Sequence, residues 1–254
     1  MKRYLVIAPI AVAVCAVAFH AVPAASVPAV RRIVDLAVAL WTTAASLAAA
    51  HGFGRDDLLR KAWLANAGSF LANGILTFSG DPVTVVSLLF VLQVVLVVAT
   101  NVLAVLTIWT FGYAYRSAGI EFPGSARKRR ASTLLALAVA AGLAGVPFVK
   151  ACIEVARGEL GSIIAAASSA GDIATFVVLV PIFFAVLALR GGLLVWTWSF
   201  LFASNALFLV YDVQVGYGGT ANEWTDLSLV AASALCVSAA LAQRRILVHE
   251  EEPI

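Results

Sequence analysis

The sequence predicts an all-α, polytopic membrane protein: a bundle of eight transmembrane helices, or seven if the first is cleaved off. Three observations predict it. Of 254 residues, 62 % are hydrophobic and 12 % charged, where an average soluble domain has about 45–50 % apolar and about 25 % charged residues. The apolar residues run on without alternation, unlike the strands of an outer-membrane barrel. A backbone in lipid must satisfy its own hydrogen bonds, so such runs are helices. The basic residues gather at alternate ends of these runs. Together these features argue against a soluble enzyme, a disordered chain, a coiled coil and a disulfide-stapled secreted domain.

The first run covers residues 4–22. It follows Lys2-Arg3 and ends at Ala21-Val22-Pro23-Ala24, whose small residues suit signal peptidase. Residues 1–29 are therefore a first span or a signal peptide, and 30–254 a seven-helix membrane bundle with a short cytoplasmic tail. The second run, 30–50, holds Asp35 about one turn in, with Arg31 and Arg32 placed for a local ion pair. The third, 62–79, carries Asn66, Ser69, Asn73 and Thr77 on one face. Small residues Ala62, Ala65, Gly68 and Ala72 beside them admit a close neighbour. The fourth, 83–111, has a polar stripe of Gln93, Thr100, Asn101 and Thr107.

The fifth run, 131–149, contains Pro147 and follows Arg127-Lys128-Arg129-Arg130, a topology anchor able to meet anionic headgroups. The sixth, 172–189, contains Pro181; either proline removes a backbone hydrogen bond and kinks its helix. Asp172, after Gly171, is placed to cap the start of this run. The seventh, 192–211, carries Ser199, Ser204 and Asn205 and closes at Asp212, where a carboxylate opposes the helix dipole. The eighth is 226–243. Asp212 then needs water, a cation or a basic partner such as Arg31, Arg32 or Lys150, while Lys150 and Glu154, four apart, form a pair of their own.

With the N-terminus inside, thirteen of the 17 basic residues fall on the inner side and four (Arg31, Arg32, Lys150 and Arg157) on the outer side. The positive-inside rule then puts both termini in the cytoplasm and the protein in the cell (inner) membrane. Trp63, Trp109, Trp196, Trp198, Tyr113 and Tyr115 fall at inner ends, and Trp224, Tyr211 and Tyr217 near outer ends, as interfacial rings do.

Polar groups in a bilayer either bond between helices, worth about 0.6 kcal/mol on average, or line a cavity. The cavity reading gives a ligand site in the outer half drawn from Asp35, Asn73, Asp172, Asn205 and Asp212. A weak internal repeat accompanies it. Lys61-Ala62-Trp63, Ser69-Phe70-Leu71, Asn73 and Asp81 parallel Arg190, Trp196, Ser199-Phe200-Leu201, Asn205 and Asp212. Segments two to four and six to eight then form parallel three-helix repeats joined by segment five, a three-plus-one-plus-three plan known among transporters. Cys15, Cys152 and Cys236 have no metal-type spacing, and His20, His51 and His249 are scattered. No metal, cofactor, catalytic motif or nucleic-acid partner is expected.

Gly171-Asp172, Leu189-Arg190-Gly191-Gly192, Trp196, Asp212, Trp224-Thr225-Asp226-Leu227 and Gln243-Arg244-Arg245 resemble the last three helices of bacterial multi-helix membrane sensor modules. Those modules stand ahead of histidine kinase or diguanylate cyclase domains. The resemblance implies a sensory or ligand-binding, non-enzymatic module. The chain ends at Ile254 with no output domain, so signalling would need a separate cytoplasmic partner. A small-solute transporter built on the repeat is the alternative. The sequence lacks the late-helix lysine of retinal proteins, the histidines of ceramidase-like hydrolases and the Gly-x-Ser-x-Gly of rhomboid-type proteases.

Overall fold

The structure is a computed structural model of the chain, and it describes residues 2–80, 85–117, 119, 125–188, 193–218 and 222–250. Asp81 and Arg190, which the repeat invokes, lie outside the described residues. Among the described residues there are helices and no strands. A short α1 (Lys2–Leu5) leads into α2 (Ile7–Ala21). A 3-10 turn precedes α3 (Val27–His51), followed by α4 (Leu58–Phe78) and α5 (Leu88–Ser117). Then come α6 (Ala126–Ala156), α7 (Ser162–Ala188), α8 (Leu193–Gly218) and α9 (Glu223–Glu250).

Six of these helices are long and apolar enough to cross a membrane: α3 and α5 to α9. The protein is an integral, multi-pass membrane protein. Helix α2, at 15 residues, falls short of the about 20 that a span needs. Helix α4 has 21 residues, but its asparagines and Arg60-Lys61 lower its hydropathy. It packs between α3 and α5, where a polar stripe meets protein instead of lipid.

The helices form a closed ring. Helix α3 packs on α4, α4 on α5, α5 on α7, α7 on α8, α8 on α9, and α9 back on α3. Helix α6 lies outside, against α7 and α8, and α2 lies outside, against α9 and α3. Small residues make these contacts close. Ala136, Ala140 and Ala144, four apart, form the face by which α6 meets Phe176, Val180 and Leu209. Ala232, Ala234, Ala239 and Ala242 of α9 are fully buried.

One half of the ring is filled by apolar side chains. Phe111 of α5 stands between two indoles, edge-on to Trp63 of α4 at 5.1 Å and to Trp198 of α8 at 5.8 Å. Tyr115 meets Trp198 at 5.4 Å. Leu179 and Ile182 of α7 and Val237 and Ala240 of α9 complete this plug. Gly112 gives Ile182 its room, since a Cβ there would lie 2.7 Å from Ile182 Cδ1. Trp63 and Trp198 were expected at the headgroup level and are instead fully buried. They lie in the first two turns of α4 and α8 and face the axis of the bundle. Trp109, Tyr113 and Trp224 do point outward.

Two helix boundaries differ from the sequence reading, and both matter. Helix α7 begins at Ser162, so Asp172 lies ten residues inside it and caps nothing. The stretch 162–171, rich in Ser, Ala and Gly, is too weakly apolar to read as a span by itself, yet its small side chains suit a helix packed among helices. Helix α8 runs on to Gly218, so Asp212 lies six residues short of its end. Both carboxyls therefore sit within helices. Pro147 and Pro181 lie inside the continuous α6 and α7.

Candidate functional site

The other half of the ring encloses a polar cavity. Among its walls are Asn66, Ser69 and Asn73 from α4, Thr100, Asn101 and Thr107 from α5, and Ser168 and Asp172 from α7. Helix α8 supplies Ser204, Asn205, Phe208, Tyr211 and Asp212, and Cys236 of α9 lies at the floor. The cavity volume is about 110 Å³.

Several of these polar groups are spent on holding helices together. Asn66 Nδ2 donates to Ser46 Oγ of α3 at 2.8 Å and to Cys236 Sγ at 3.4 Å. Ser69 Oγ donates to the Thr100 carbonyl of α5, and Ser204 Oγ to the Ala232 carbonyl of α9, each at 2.8 Å. Asn101 Nδ2 and Asn205 Nδ2 each donate to the carbonyl one turn back, Val97 and Leu201. Asn101 also lies flat on Gly171 of α7, where any Cβ would overlap its amide.

Other groups stay available. Asp172 and Asp212 come within hydrogen-bonding reach of each other across the α7–α8 contact, with the Ser168 hydroxyl beside Asp212. Asp212 Oδ2 is shut off from solvent and receives no donor, and Thr100 Oγ1 is in the same position. The Asn73 side chain makes no hydrogen bond to another described residue. Among the described residues no Lys, Arg or His lines this cavity.

The cavity continues toward one end of the bundle. Asn73, Thr100, Asn101, Ser168, Tyr211 and Asp212 also line a second space, which reaches Gly80, Gln93, Lys150, Glu154 and Gly161. Lys150 Nζ stands 3.8 Å from Glu154 Oε1, the pair expected from their spacing. At the opposite end, beyond Asn66 and Thr107, the aromatic plug closes the space.

Of the five residues proposed from sequence, Asn73, Asp172, Asn205 and Asp212 line the cavity. Asp35 does not. It sits near Arg31 and Asp226, on the α3–α9 seam. Arg31 of α3 reaches across that seam, its Nε 2.5 Å from Asp226 Oδ2, and His20 Nε2 is 3.0 Å from Glu223 Oε1 nearby. Tyr211 lies within electrostatic reach of both carboxyl groups of the cavity and both of the seam. The basic partner proposed for Asp212 is replaced by a second acid. Sequence reasoning left out Asn101, Ser168 and Tyr211 as ligand groups. The first stood in a polar stripe, but the second fell outside the expected span and the third was assigned to the membrane interface.

This chain matches no family model, no curated protein and no solved structure.

Proposed function

We propose that this protein is a ligand-binding membrane module that takes up a small polar solute from the outer side and holds it in the central cavity. One observation carries the reading: the cavity is continuous with a polar vestibule at one end and stopped by the Trp63–Phe111–Trp198 plug at the other. The distribution of basic residues in the sequence favours the plug toward the cytoplasm and the vestibule toward the outside. A site open outward and shut inward is what a sensor needs, with a separate cytoplasmic protein reading the bundle's inner face.

A transporter is the second reading, and the ring favours it. Helices α3–α4–α5 and α7–α8–α9 are two consecutive triplets, joined at two corresponding seams, α5–α7 and α9–α3. Parallel repeats of this kind suit alternating access around a site at their interface.

The test is access. With Cys152→Ser as background, Asn73→Cys should react in intact cells with a small, membrane-impermeant methanethiosulfonate. Phe111→Cys, in the plug, should not. Protection of Asn73→Cys from the outside would sink the proposal.

A further inference from the structure

We infer that the ligand of the central cavity is a small organic cation, an ammonium, which displaces the proton shared by Asp172 and Asp212. This rests on the cavity being reachable from outside.

Two bare carboxylates repel at hydrogen-bonding range, so a positive partner has to accompany them, and that partner is a proton or a cation. No basic side chain among the described residues supplies it from the cavity wall. The Asn73 amide oxygen offers an acceptor to an N–H group, and Asp212 Oδ2 and Thr100 Oγ1, buried without a hydrogen-bond partner, belong to the same walls. The remaining walls suit the organic part of such a molecule. Phe70 of α4 and Phe208 of α8 both line the cavity, their rings 5.9 Å apart and inclined at 52°. Ring faces attract ammonium groups and pack against their carbon chains.

A bare metal ion is served less well. A cavity of about 110 Å³ is more room than one ion fills, and among the described residues no three His, Cys, Asp or Glu side chains group to hold one. Anionic solutes would meet two acids with no counter-charge. Neutral polyols would find hydroxyl and amide partners but would leave the acid pair unanswered.

The exchange balances: one positive charge enters, one proton leaves through the vestibule, and the charge inside the cavity is unchanged. The titratable or charged groups lining the cavity and its vestibule beside the pair are Tyr211 on α8, Cys236 on α9, and Lys150 with Glu154 on α6; Asp35 and Asp226, beside Arg31 on the α3–α9 seam, act on Tyr211. Helices α4 and α5 present only amides, hydroxyls and apolar groups to the cavity.

The experiment titrates the purified full chain in lipid nanodiscs, weakly buffered, with butylammonium chloride, sodium chloride, sodium butyrate or 1-butanol. Butylammonium should raise the unfolding temperature and release protons as it binds, while the other three do neither. Asp172→Asn and Asp212→Asn should each weaken it about tenfold or more, about 1.4 kcal/mol, and abolish proton release. Asp56→Asn, on the exposed loop before α4, should change nothing. A response to sodium, butyrate or butanol equal to that of butylammonium would overturn the inference. So would no response to butylammonium at all, or binding that ignores both aspartates. If Asn73→Cys is nevertheless labelled from outside, the ligand class alone has failed and the outward-open cavity stands.

Discussion

Asp172 of α7 and Asp212 of α8 face each other from the interiors of two membrane-length helices, with no basic residue between them. A cap or a surface charge would account for neither. Their mutual dependence is measurable: in a double-mutant cycle of Asp172→Asn and Asp212→Asn, followed by thermal unfolding in detergent, the pair should show a coupling energy of about 1–3 kcal/mol. Additive single effects would mean that the two carboxyls act separately.

Gly171 lies one residue from that pair and against the Asn101 amide. Gly171→Ala should destabilise the bundle by about 1–3 kcal/mol through overpacking. Adding Asn101→Ala should recover part of the loss, because the overlapping group is gone. Unfolding in a denaturing detergent titration reads both variants.

Phe111 is the keystone of the plug, touched by an indole on either side. Phe111→Ala should cost about 3–5 kcal/mol and let an inward-facing thiol reagent reach Cys236 in inverted vesicles. Trp198→Phe keeps a ring in place and should leave Cys236 shielded. Equal reactivity of Cys236 in both variants and the parent chain would show that the plug does not seal.

Asn66 joins three helices through Ser46 and Cys236. Asn66→Ala should lose about 0.6–1.7 kcal/mol, the range for hydrogen bonds between helices in membranes. Ser46→Ala should lose less, because Asn66 keeps its second partner.

Orientation has a direct test. Single cysteines at Glu159 and Gly54, both exposed on connections between helices, should label from the outside and from the cytoplasm respectively. The reverse pattern would invert the assignment of vestibule and plug.

Much of this was legible in the sequence because polar residues in an apolar chain are conspicuous. The Asn66–Ser69–Asn73 stripe appears in the structure on the cavity side of α4. Two kinds of information were not legible. The first was depth: the 162–171 stretch reads as a loop, so Asp172 was taken for a cap and Ser168 was passed over. The second was azimuth: Trp63, Trp198 and Tyr211 have interfacial residue types at suitable depths, and only the packing of neighbours tells that they turn inward. Asp35 shows the same limit. It shares its residue type and depth with the cavity acids but lies on the α3–α9 seam.

Helix α9 closes the ring, wedged between α8 and α3 and covered on its outer side by α2. It is also synthesised after every other helix described. While the chain is being made, the slot between α3 and α8 stands open, and Thr42, Asn66 and Ser204 wait for partners on a helix not yet inserted. Assembly therefore cannot finish one helix at a time. The early helices have to be held apart, or to part again, to admit the last one, and a polypeptide stopped before Glu223 would leave a gap in its wall facing lipid.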